Sequence, residues 1–75
     1  MREAMELMNR LNETRLQKQL TQEALADRVG VTRQTIISIE KAKFVPSVRL
    51  ALELAQALDV SLEELFWLEN RKRSK

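Results

Sequence analysis

The chain has no cysteine, no histidine and no tyrosine, and only one glycine and one proline in 75 residues. Without thiols there is neither a disulfide framework nor a thiolate zinc site, and without imidazole the commonest metal ligand and general acid or base is missing. A single glycine also rules out a glycine-rich phosphate loop. Together these absences argue against an enzyme, and no cofactor, metal or small-molecule ligand is expected. No apolar run approaches the roughly 18 residues of a membrane span. The start, Met1, Arg2, Glu3 and Ala4, lacks the layout of a signal peptide. The expectation is a soluble, cytoplasmic protein with no membrane partner.

Thirteen basic and eleven acidic residues give a net charge of +2, unevenly spread. Residues 1–20 and 21–46 each carry +1, residues 47–66 carry −3 and residues 67–75 carry +3. Any surface for nucleic acid is therefore local, with the acidic stretch turned away from phosphates. One core of this size supplies only about 3 to 5 kcal/mol, which makes a partner subunit a natural source of extra stability.

With so little turn chemistry and with apolar residues recurring every three or four positions, the chain reads as all-α. Thr21, Thr32, Ser47 and Ser61 each precede a helix-forming run and can accept its free backbone N–H groups. Leu20 with Leu25, Val31 with Ile36 and Val60 with Leu65 form hydrophobic staples, and Ser61 with Glu64 a capping box. Pro46 holds Val45 extended and makes residues 43–46 a loop. The expected helices span residues 2–18, 22–29, 33–41, 48–58 and 62–69, with an N-terminal extension, 1–8, continuing into the first. The basic tail from Arg71 to Lys75 is expected to fray.

The informative stretch is QEALADRVGVTRQTIISIEK, two short helices separated by Gly30, Val31 and Thr32. So short a turn needs a residue that accepts positive φ, Gly30, and a small residue at the helix crossing, Ala26. Around the second helix, Ile36, Ile39 and Glu40 share one side while Gln34, Ser38 and Lys41 lie opposite, flanked by Thr35 and Ile37. Arg33 and Gln34 occupy the first turn. Arginine can bond bidentately to guanine and glutamine to adenine, so Arg33, Gln34, Ser38 and Thr35 are the candidates for base readout. The alternative is an ordinary solvated face. Ile37 can touch a thymine methyl or pack on a neighbouring helix.

TQEALADRVGVTRQTI, SIEKAKFVPSVRLALELAQAL and DVSLEELF resemble the phage-repressor and Cro family of helix-turn-helix regulators, also called the xenobiotic-response-element type, over residues 9–68. The resemblance implies a compact five-helix bundle like that of lambda repressor, a DNA-binding domain over 9–69, a helix entering the major groove at residues 32–41, and a homodimer. It implies an internal ion pair between Arg15 and Glu40, and a backbone-clamping role for Gln22, the alternative being a plain first-turn residue. Thr32, Lys41 and Lys43 join Gln22 as candidate phosphate contacts; Arg28 can do the same or merely favour its helix C-terminus. Gln19 and Ala42 stand where the family usually has glycine, and Thr14 where it has an apolar residue.

The last expected helix has more apolar residues than one face can hide. Trp67 and Leu68 are candidates for a two-fold dimer seam that also involves parts of the fourth helix, the alternative being that Trp67 folds back over its own core. The function expected is that of a sequence-specific regulator of transcription, a repressor, that binds double-stranded DNA. The competing function is an antitoxin-like or adaptor protein that uses the same fold to bind a protein partner.

Overall fold

The computed structural model describes residues 4–70. In chain order the elements are strand β1 (Met5–Asn9), helices α1 (Leu11–Gln17), α2 (Gln22–Val29), α3 (Arg33–Glu40), α4 (Val48–Leu58) and α5 (Leu62–Leu65), and strand β2 (Phe66–Asn70). Five helices thus carry a two-stranded sheet. The basic tail lies outside the described residues.

Threonine or serine hydroxyls start four of the helices. Thr21 accepts from Ala24 N, Thr32 from Thr35 N, Ser47 from Leu50 N and Ser61 from Glu64 N, and the Glu64 carboxylate in turn accepts from Ser61 N. Leu25, Ile36 and Leu65, the inner members of the three staples, are fully buried, and Leu20, Val31 and Val60 pack against the same core. α4 contributes Leu50, Ala51, Leu54, Ala55 and Leu58, a stripe with the spacing of one helix face. α2 and α4 pack against each other.

The ends of α1, α2, α3 and α4 follow one design. The backbone N–H groups of Leu20, Val31, Lys43 and Val60 each reach back five residues, to the carbonyls of Arg15, Ala26, Ser38 and Ala55. This wrap needs a left-handed residue just before the donor. Those residues are Gln19 (φ 60°), Gly30 (φ 75°), Ala42 (φ 62°) and Asp59 (φ 58°). Only one of the four is glycine. Aspartate tolerates this conformation better than most residues, whereas Gln19 and Ala42 adopt it against the clash of their Cβ atoms.

The all-α expectation fails at both ends of the chain. Residues 5–9 form β1 instead of running into the first helix, and Phe66, with φ −133° and ψ 140°, stops α5 after one turn. β1 and β2 pair antiparallel, with Met5 opposite Asn70, Leu7 opposite Leu68 and Asn9 opposite Phe66. Met5, Met8 and Leu11 do match a helical stripe, but the segments 5–9 and 66–70 satisfy their backbone groups on each other, a long-range pairing that overrides local period. Asn9 also caps α1 from outside by accepting from Leu11 N at 3.0 Å, so the helix starts there.

Replacing Gln19 or Ala42 by glycine removes a left-handed penalty of about 1 to 2 kcal/mol and adds unfolded-chain entropy worth about 0.4 to 1 kcal/mol. Each substitution should therefore stabilise the fold by up to about 1.5 kcal/mol. Urea titration checks this: the midpoint should rise with an unchanged slope.

Candidate nucleic-acid interface

α2 and α3 pack on each other around the left-handed turn at Gly30, with Leu25, Ala26, Ile36 and Ile39 buried at or near their contact. α3 consequently buries one face and presents the other. Arg33 and Gln34 stand exposed in its first turn, Thr35, Ile37 and Ser38 are half-buried, and Lys41 is exposed at its end. The Thr32 hydroxyl lies 3.1 Å from that of Thr35, and Gln34 Nε2 donates to Ser38 Oγ at 3.4 Å. These contacts tie the polar side chains together in two separate pairs. Ile37 is neither free in solvent nor part of the buried core.

The cations divide into two sets. Arg10 pairs with Glu13 and Arg49 with Glu53, each on or beside its own helix, while Arg15 pairs internally. Lys18, Arg28, Arg33, Lys41 and Lys43 have no ion-pair partner among the described residues. Three of these five lie on α3 or the loop after it, and Arg28 lies on the last turn of α2. Among the described residues, unpaired positive charge thus falls mainly on α3 and the loop that follows it.

What holds α3 in place is Glu40. Its carboxylate accepts from Arg15 Nε at 2.7 Å, Asn12 Nδ2 at 3.1 Å, Gln22 Nε2 at 3.1 Å and, at 3.4 Å, Arg15 Nη2. The Arg15 and Glu40 side chains are only 7% and 6% exposed. Arg15 Nη1 donates onward to the Leu20 carbonyl at 2.8 Å. Burial by itself would raise the Glu40 carboxyl; the bonds from Arg15, Gln22 and Asn12, with the Arg15 charge, outweigh it and hold the group below the usual carboxylate range.

Gln22 is therefore engaged inside the protein, with one amide proton on Glu40 and a second still available. Asn12 escaped sequence reasoning, although its place three residues before Arg15 puts both on one face of α1. Thr14, in a usually apolar position, is buried. Trp67 and Leu68 lie on β2, not on a helix. Trp67 is half-buried, donates from Nε1 to Glu69 at 3.0 Å and has the Arg10 guanidinium 4.7 Å from its ring centre. Leu68 is 60% exposed.

Comparison with known proteins places this architecture. The helix-turn-helix family matches residues 11–65, and the chain belongs to that family, in its Cro and C1 branch. It is 44% identical over 63 residues to the HTH-type transcriptional regulator YgzD of Bacillus subtilis, covering 84% of this chain and 96% of that one. A regulator of the same description from Methanothermobacter thermautotrophicus is 50% identical over 60 residues, covering 79% and 87%. Among solved structures, the restriction-modification controller protein C.AhdI from Aeromonas hydrophila superposes with a TM-score of 0.70 at 38% identity, covering 73% of this chain and 80% of that one.

Because the folded Glu40 carboxyl titrates lower than an unfolded one, the unfolded chain binds its proton more readily. The stability Glu40 contributes is present above the ordinary carboxylate value of 4.5 and is lost as pH falls through the lower folded value. Glu40→Ala strands Arg15 and should cost about 3 to 5 kcal/mol. Thermal melts at neutral and acid pH check both statements, since the variant should lose part of the parent's acid sensitivity.

Proposed function

We propose that this chain is a sequence-specific, double-stranded-DNA-binding regulator of transcription, a repressor, with α2 and α3 as its helix-turn-helix and α3 in the major groove. The observation that carries the reading is the concentration of unpaired cations around a helix whose exposed face is polar and whose opposite face is buried. Arg33 and Gln34 read base edges from the first turn, with Thr35 and Ser38 beside them. Thr32, Lys41, Lys43 and the second amide proton of Gln22 take phosphates, which hold register without reading sequence. The acidic residues 47–66 stay away from the duplex.

The protein acts as a homodimer in the compartment that holds the genome. A shallow apolar groove of about 260 Å³ runs between the sheet and α4, bordered by Leu7, Pro46, Val48, Leu62, Trp67 and Leu68. Val48, on its border, is 74% exposed. Apolar surface of this kind supports a seam in which Trp67 and Leu68 face a second copy. Among the described residues no helix is long and apolar enough to cross a membrane.

Selection from a random DNA pool at near-physiological salt tests the reading. An inverted repeat with half-sites about 10 base pairs apart, or a multiple of that, is the expected product. Gln34→Ala should relax one position of each half-site at a cost of about 1 to 3 kcal/mol. No enrichment at any salt would sink the proposal in favour of protein recognition. For the seam, Leu68→Glu should shift the sedimenting species from dimer to monomer while leaving the helical spectrum intact; a monomeric parent would end that part of the proposal.

A further inference from the structure

Asn9 closes β1, and its side chain does two unrelated jobs. Its Oδ1 accepts from Leu11 N at 3.0 Å, at the start of α1. Its Nδ2 donates to the Ile39 carbonyl at 3.0 Å, thirty residues away at the end of α3. The amide suits both jobs, because one arm accepts from an N–H while the other donates to a C=O. Ile39 O also accepts from Ala42 N at 2.9 Å, so Asn9 holds the first bond of the turn in which Ala42 is left-handed and Lys43 N closes on Ser38 O at 2.9 Å. On its other side Asn9 is fixed by pairing with Phe66, and the adjacent Arg10 N bonds to Leu65 O at 2.9 Å.

We propose that Asn9 is a positioning residue for DNA binding: it ties the sheet to the turn after α3 and so sets where Lys41 and Lys43 meet the phosphate backbone. This rests on the reading of α3 as the DNA-reading helix. The turn needs such a tie because Ala42 lacks the conformational freedom of glycine, and a left-handed alanine relaxes toward ordinary backbone when its neighbours release it. Asn9 touches neither base nor phosphate. Its influence falls on the end of α3 opposite Arg33 and Gln34, so it governs affinity through the backbone and leaves base preference alone.

The test uses Asn9→Ser, which keeps an oxygen for Leu11 N but is too short for Ile39, and Asn9→Asp, which keeps the acceptor and turns the donor into a second acceptor. Binding to the selected DNA site is measured against salt at a temperature where parent and variants are all fully folded. Amide exchange is followed in the free proteins. The expected result is a several-fold weaker affinity, an unchanged base preference, and a salt slope shallower by roughly 0.9 per half-site, the signature of one lost phosphate contact. Exchange should accelerate at the Ala42 and Lys43 amides ahead of the middle of α3. Variants that lose stability but keep the parent's slope and local exchange would overturn the inference, leaving Asn9 a structural residue only. A parent with no sequence preference overturns the DNA reading and this inference together, whereas a selective parent with unaltered slopes in both variants overturns this inference alone.

Discussion

A carboxylate enters the interior of so small a protein only when every lone pair it loses to water is answered, because an unpaired buried charge costs several kcal/mol. Glu40 meets that condition with donors from three places: Asn12 and Arg15 on α1 and Gln22 at the start of α2. Since Glu40 itself ends α3, three helices share one anion. Apolar packing can be satisfied by several similar arrangements, whereas four directed bonds to two oxygens admit few. The crossing of α2 and α3, and with it the presentation of Arg33 and Gln34, therefore depends on a polar cluster at one corner as much as on Leu25 and Ile36 beneath.

Around that corner the middle of the domain was legible in the sequence because its signals are local. A cap hydroxyl, a staple and an apolar stripe lie within a few residues of one another, and the spans of α2 and α4 follow from Thr21, Ser47 and the spacing of Leu50, Leu54 and Leu58. The polar face of α3 is legible for the same reason. Its candidate phosphate contacts were less so: that Gln22 spends a proton on Glu40 depends on the orientation of two helices, which no window of sequence contains.

The two ends of the chain misled. Residues 5–9 carry a helical period and residues 66–70 an excess of apolar side chains, and each is compatible with a helix taken alone. Their conversion to strands is a joint event, because neither segment can satisfy its backbone as a strand without the other. Asn9 escaped notice on the same ground, since its two partners lie two and thirty residues away. The left-handed turns at Gln19 and Ala42 were marked in the sequence only as departures from glycine; the structure keeps the turn and places the strain on the side chain.

The pairing of Met5 with Asn70 joins points sixty-five residues apart. Closing a loop of that length costs chain entropy that a two-stranded ribbon cannot recover on its own. The ribbon must therefore wait until the helices have brought Arg10 and Leu65 together, and it opens before they do. Folding is thus ordered from the middle of the chain outward, so that the apolar surface borne by Leu7 and Leu68 is assembled last, after the helix pair that carries the polar face is already in place.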